Sequence, residues 1–143
     1  MNGDEAGRPA WRYRKLFFVV EGDPVPYERM TAGELKWLRI PERRLTRAQA
    51  ARKRRILAYF AYKDLVRAAI GAQRYDRAPR QKAYAAMTVY YRNLTHGDPD
   101  NIKKGILDAA FECDKFIASS VDFSYDPARP RVEVNFLLPE AEP

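Results

Sequence analysis

His96-Gly97-Asp98-Pro99-Asp100-Asn101-Ile102-Lys103-Lys104-Gly105-Ile106-Leu107-Asp108-Ala109-Ala110-Phe111-Glu112-Cys113-Asp114 is the stretch on which the reading of this chain turns. Ile102, Ile106, Ala109/Ala110 and Cys113 recur at three- and four-residue spacing, the mark of a helix with one buried stripe. Asp100 is a good N-cap, so the helix is expected from Asn101 to about Glu112. Leu107 and Phe111 lie off the stripe and fit either a subunit contact or the chain's own sheet. Just upstream, Ala85, Met87, Val89 and Tyr91 alternate with Tyr84, Ala86, Thr88 and Tyr90, which predicts a strand from Tyr84 to Tyr91. A turn from Asn93 to Pro99 joins the two. His96, a lone histidine in that turn, is read as solvated and given no role.

Asp98 and Asp100 therefore fall where a strand has ended and a helix begins. In extended backbone, residues i and i+2 point the same way, so both carboxylates can meet over one ion. Mg²⁺ takes one or two carboxylates together with water and phosphate oxygens. Lys104 and Asp108 follow at four-residue steps, on a face away from the apolar stripe. Asp114 could complete a ligand set if the chain folds back after the helix. The plainer alternative makes Asp100 an N-cap, Asp98 a turn residue and Lys104/Asp108 an ordinary i,i+4 pair. Spacing alone does not decide between them.

Working outward, residues 1 to about 13 lack a period and read as a flexible N-terminal arm, with one domain over 14–140. Leu16 to Val20 is a strand apolar enough to be covered on both faces. Gly22-Asp23-Pro24-Val25-Pro26 ends it in an extended segment. Thr31 to about Arg39 fits a short helix, with Thr31 and Glu34 at capping-box spacing. Thr46 caps a long helix to about Ile70, stopped by Gly71, with Leu57, Ala61, Leu65 and Ala68/Ala69 as its buried stripe. A loop over 72–82 contains Pro79. At the other end Val121, Phe123 and Tyr125, then Val132, Val134 and Phe136, alternate about Asp126-Pro127-Ala128-Arg129-Pro130 and resemble a hairpin. The class is α+β, order β-α-β-α-β-β, with a mixed sheet and two main helices.

The formal net charge is +7, and it is uneven. Residues 1–97 carry 21 Lys/Arg against 9 Asp/Glu, and residues 98–143 carry 5 against 10. A basic half favours a polyanionic partner. Carboxylates beside DNA make sense only if metal neutralises them. Many bases near the start of the long helix oppose its macrodipole, a mismatch that bound phosphate would relieve. The lone cysteine, Cys113, permits no internal disulfide. With no signal peptide and no apolar run long enough to span, a cytoplasmic protein without membrane contact is expected.

The central stretch resembles the RusA family of Holliday-junction resolving endonucleases, whose core pattern is Asp-x-Asp-Asn-x-x-Lys-x-x-x-Asp-Ala. Here it reads Asp98-Pro99-Asp100-Asn101-Ile102-Lys103-Lys104-Gly105-Ile106-Leu107-Asp108-Ala109. The strand Phe17 to Glu21, with Gly22-Asp23-Pro24-Val25-Pro26 and Arg29 after it, is similar to the family's opening segment. Pro130-Arg131-Val132-Glu133-Val134 resembles its closing strand. The likeness runs from about residue 16 to 138. It departs at the family's Asp-Asp pair, which is Cys113-Asp114 here and nearer the helix, and at Gly97, where some relatives carry Arg.

The resemblance implies a RusA-like fold and a homodimeric, Mg²⁺-dependent nuclease, with Mn²⁺ as the alternative ion. Such an enzyme nicks four-way DNA junctions symmetrically in recombination and repair. Asp98, Asp100 and Asp114 become metal ligands, Lys104 the catalytic lysine, and Asn101 and Asp108 supports of the site. Two opposed nicks require two sites about a twofold axis. Phosphate contacts are expected from Arg43, Arg44, Arg47, Arg52, Lys53, Arg54 and Arg55, with Arg29 nearer the metal. Since Arg52 to Arg55 cannot share one helix face, some of these point to solvent. A junction-binding protein without nuclease activity, and a basic interaction protein with a purely structural acidic helix start, remain the alternatives.

Overall fold

Two capping boxes set the helical half of the chain in the computed structural model, which describes residues 12–140. The Thr31 hydroxyl accepts from the Glu34 N–H while the Glu34 carboxylate accepts from the Thr31 N–H, starting the short helix α1 (Ala32–Lys36). Single 3₁₀ turns at Trp37–Arg39 and Glu42–Arg44 follow. Thr46 and Gln49 form the same reciprocal pair at the start of α2 (Arg47–Ile70), and Gly71, at φ 64°, ends it. The strands are β1 (Tyr13–Glu21), β2 (Ala83–Tyr91), β3 (Ile117–Tyr125) and β4 (Arg131–Pro139), and α3 (Pro99–Ala110) stands between β2 and β3. The expected N-terminal arm falls mostly on residues 1–11, outside the described ones, and β1 already begins at Tyr13.

The protein is α+β, with one four-stranded mixed sheet and three helices among the described residues. The sheet order is β1-β4-β2-β3. β2 runs parallel to β3, with α3 as the crossover, while β4 is antiparallel to both β1 and β2. The C-terminal hairpin expected from sequence is therefore absent: β3 and β4 flank β2 on opposite sides. A five-residue connection makes a hairpin easy to write down. Yet β4 buries Val132, Val134, Phe136 and Leu138 and takes the central place, while the Ser- and Asp-containing β3 is left at an edge.

One sheet face carries Leu16, Phe18, Val20, Met87, Val89, Tyr91, Val134 and Phe136 into a core roofed by α2 and α3. The other face leaves Phe17 and Tyr84 exposed, so β1 is covered on one side, not on both. The buried stripe of α2 also differs from expectation. Ile56, Tyr59, Tyr62, Val66 and Ile70 are buried, whereas Leu57 and Leu65 are 45% and 53% exposed. Two stripes one residue apart compete on this helix, and the one with two tyrosines buries more area than the one rich in alanine. On α3, Ile102, Ile106, Ala109 and Ala110 are buried as expected, Cys113 is exposed, and Leu107 and Phe111 join the monomer's own core. No helix among the described residues is long and apolar enough to cross a membrane.

Candidate functional site

The turn between β2 and α3 is clamped from several directions. The Tyr91 hydroxyl donates to the Gly97 carbonyl at 2.7 Å. His96 stacks on the Tyr91 ring at 3.6 Å between centroids. Its Nδ1 lies 2.7 Å from the same Gly97 carbonyl and its Nε2 lies 3.0 Å from the Tyr125 hydroxyl. A carbonyl only accepts, so Nδ1 carries the proton there, and in a neutral ring Nε2 then accepts from Tyr125. His96 is exposed, as expected, and its two ring contacts also brace the turn. A Cβ on Gly97 would come within 3.3 Å of the Pro26 ring, so glycine keeps this turn close to the 23–30 segment. Burial, then the nearby negative charge of Asp98, pushes the Tyr91 hydroxyl up to about 12.

Asp98, not Asp100, is the N-cap of α3: its carboxylate accepts from the Asp100 N–H at 3.4 Å, and Pro99 takes the first helical position. Pro suits that position because its missing N–H would have no intrahelical partner. Asp100 is on the first turn, with its side chain 74% exposed and its carboxylate 3.7 Å from Lys103 Nζ. Both carboxylates are thus exposed beside a helix N-terminus, with only long, weak contacts. Lys104 Nζ sits 5.7 Å from the centre of the Tyr27 ring and pairs with no carboxylate among the described residues. Asn101 contributes its carbonyl, which accepts from the Tyr27 N–H at 3.0 Å. That bond lays the segment after β1 across α3. The approach is close at Gly105, where a Cβ would be 3.2 Å from Tyr59 Cε1 and 3.4 Å from Tyr27 N.

Asp108 accepts from the Tyr59 hydroxyl and sits 2.8 Å from Lys63 Nζ, so its partners are on α2 and it ties α3 to that helix. Burial pushes its carboxyl up, but the hydrogen bonds from Lys63 and Tyr59 outweigh that and the net shift is down. Burial, then the bond to Asp108, pushes the Tyr59 hydroxyl up.

Asp114 is exposed beyond the far end of α3. The Glu112 N–H bonds the Arg77 carbonyl at 2.8 Å, and the Phe116 carbonyl accepts from Ala83, the first residue of β2, at 3.0 Å. The chain therefore goes on into β3 and does not fold back toward Asp98. The 12 residues of α3 rise about 18 Å between the two ends. Among the described residues, no group of three or more His, Cys, Asp or Glu side chains is placed to hold a metal ion. Two exposed carboxylates at one helix end are within what Mg²⁺ uses, given water and phosphate for the remaining positions.

The basic residues sort into two sets. Arg52 is an internal anchor: its Nε bonds Glu34 at 2.8 Å and its guanidinium also pairs with Glu28. The hydrogen bond from Arg52 holds the Glu34 carboxyl below its ordinary range. Lys53 Nζ donates to the Ile40 carbonyl at 2.8 Å, and Arg54 grips Glu42 through two bonds at 3.0 and 2.6 Å. These three hold the 28–42 segment against α2, and the acids of that segment answer the charge near the helix start. Each of the three, expected from sequence to meet phosphate, is engaged by a partner within the chain. Arg55 is exposed and 3.8 Å from Glu28. Arg29, Arg43, Arg44 and Arg47 are exposed and pair with no acidic side chain among the described residues. The chain matches no family model, no curated protein and no solved structure.

Proposed function

We propose that this chain is a Mg²⁺-dependent, structure-selective endonuclease that cuts four-way DNA junctions as a homodimer, as its resemblance to the RusA family implies. The observation that carries the reading is the exposed pair Asp98 and Asp100 at the start of α3, on a turn held by Tyr91, His96 and Pro26. Asp98 and Asp100 would hold the ion, which when bound supplies an activated water and charge neutralisation at the phosphate. Lys104, one turn along the same helix, places a positive charge where negative charge develops on the phosphodiester oxygens. Arg29, Arg43, Arg44, Arg47 and Arg55 supply the backbone contacts that dominate DNA affinity. Arg52, Lys53 and Arg54 position the segment that carries several of them.

The third carboxylate, Asp114, comes from the second copy in this reading. The rise of α3 sets about 18 Å between its two ends, with Asp98 at one and Asp114 beyond the other, so an ion shared within one chain is out of reach in this reading. A twofold axis that sets two α3 helices side by side and antiparallel brings the Asp114 end of each to the Asp98 end of the other. β3 supports such an arrangement. It is an edge strand beside α3, without Lys, Arg or Pro to guard its backbone, and it leaves Phe123 52% exposed.

The test compares a labelled four-way junction with a linear duplex, each in Mg²⁺ or EDTA, beside Asp100→Asn. Metal-dependent symmetric nicking of the junction, lost in the variant, is the expected outcome. Junction binding without nicking in any divalent ion would leave a binding protein and reject the nuclease.

A further inference from the structure

The end of the domain opposite Asp98 carries a second basic feature that no run of charge in the sequence announces. Arg67 on the last turns of α2, and Arg74 and Arg77 in the loop after it, line an open cavity of about 430 Å³ together with Gln73 and Tyr75. Arg14 on β1 closes in, its guanidinium donating to the Arg74 carbonyl. The wall is rigid: the Tyr75 hydroxyl donates to the Ala110 carbonyl at 2.6 Å and its ring packs edge-on against Phe111, 5.5 Å between centroids.

These cations are only partly answered by the protein. Arg67 lies 3.5 Å from Asp64, a pair open to water. Arg77 donates to the Ala109 carbonyl at 3.1 Å, closing the C-terminus of α3. Arg74 has no acidic partner among the described residues. Asp76, the other acid of the loop, accepts from the Ala78 N–H. The negative end of the α2 dipole accounts for one cation there. Three arginine side chains lining one cavity exceed that need, and a planar donor fork is suited to phosphate oxygens.

We propose that this cavity takes a phosphate group. In the nuclease reading, on which this form of the inference rests, the ligand is a backbone phosphate of a junction arm. The placement fits, because the Arg77 carbonyl accepts from the Glu112 and Cys113 N–H groups and so fixes the cavity beside Asp114. DNA held there lies against the end of the domain that donates Asp114 to the opposite subunit, and the arginines register it. A free diphosphate offers the same chemistry.

The experiment uses the full chain and the double variant Arg67→Gln/Arg74→Gln, leaving Arg77 to close α3. Junction affinity is measured without divalent ion over a range of salt, and thermal melting is followed with and without inorganic pyrophosphate. Each phosphate neutralised contributes about 0.9 to the slope of log K on log salt, so losing the one held in the cavity should make the variant slope shallower by about 0.9. Arg67→Lys/Arg74→Lys, which keeps the charge, should retain most of that slope. A shallower slope supports the backbone ligand whether or not pyrophosphate raises the melting temperature. If the wild type ignores the junction, the nuclease reading falls. The cavity then stands as a free-phosphate site only if pyrophosphate stabilises the wild type and not the variant. An unchanged slope with that pyrophosphate effect overturns the DNA form alone. An unchanged slope without it overturns the inference altogether.

Discussion

If each metal centre takes Asp98 and Asp100 from one chain and Asp114 from the other, two inactive variants should rescue each other. Two oxygens bound to one Mg²⁺ at about 2.0–2.1 Å can be no more than about 4 Å apart. The rise of α3 alone separates the two ends by about 18 Å, so no rotamer of Asp114 reaches the other carboxylates of its own chain. Asp100→Asn and Asp114→Asn should each abolish junction cleavage. In a dimer with one chain of each kind, one site carries both defects. The other receives Asp100 from the second chain and Asp114 from the first, and is intact. Random exchange makes about half of the dimers mixed, so the mixture should recover about one quarter of the wild-type sites, with each mixed dimer nicking one strand. The assay is cleavage of a four-way junction labelled on each strand in turn, after subunit exchange followed with two affinity tags. A mixture as inactive as its parents, in the presence of demonstrated mixed dimers, would sink the shared site. So would full activity of Asp114→Asn alone.

Three further outcomes follow from packing and charge. The Tyr62 hydroxyl is buried without a hydrogen-bond partner among the described residues, so Tyr62→Phe should stabilise the fold by about 1 kcal/mol, raising the melting temperature by roughly 3 °C; a lower melting temperature would show that the hydroxyl has a partner. Gly105→Ala should cost about 1 kcal/mol in thermal unfolding, because contact at 3.2 Å with Tyr59 and 3.4 Å with the Tyr27 backbone outweighs the helix propensity gained; a stabilised variant would refute the close approach. Asp108→Asn should destabilise by about 1 kcal/mol at pH 7, a figure kept low because the carboxylate is partly solvated. The folded Asp108 carboxyl lies below its ordinary range, so its stabilisation is present above the unfolded value of about 3.9 and fades as pH falls through the folded one. Denaturant unfolding at pH 7 and pH 3 should show the gap close at the lower pH, and an equal gap at both would reject the charge argument.

The elements with a local chemical signature were legible in the sequence. Thr31 with Glu34 and Thr46 with Gln49 close the boxes that start α1 and α2. β2 alternates along its length as a strand with one covered face must. What escaped was set by long-range pairing. Val121 to Tyr125 and Val132 to Phe136 carry the same alternation whether they pair with each other or with β2, because a period of two names a face and not a neighbour. Their difference lies in the burial of Val132, Val134 and Phe136, which the finished sheet decides. The stripe on α2 was missed for a related reason. Tyr59 and Tyr62 read as amphipathic residues, and only the arrival of α3, with Asp108 ready to accept from Tyr59, makes the interior the better place for one of them.

At the candidate site, sequence spacing located Asp98, Asp100 and Lys104 on one helix start but could not apportion the cations. Arg52, Lys53 and Arg54 look like a DNA-binding run, yet Arg52 pairs with Glu28 and Glu34, Arg54 with Glu42, and Lys53 donates to the Ile40 carbonyl, all ten or more positions upstream. Arg67, Arg74 and Arg77 form no run in the sequence, yet they line one cavity, and Arg14 of β1 donates to the Arg74 carbonyl beside it. A cation held by carboxylates in a part-buried network, as Arg52 is, is committed to the fold, whereas one without an acidic partner still has its charge to offer a ligand. Affinity for a polyanion is therefore better judged from the guanidinium groups that lack an internal acid than from the count of Lys and Arg. By that measure the guanidinium groups without an acidic partner among the described residues include those of Arg43, Arg44 and Arg47 near the start of α2 and Arg74 beyond its end. A ligand touching both sets must extend along the helical layer, as a duplex arm can and a small nucleotide cannot.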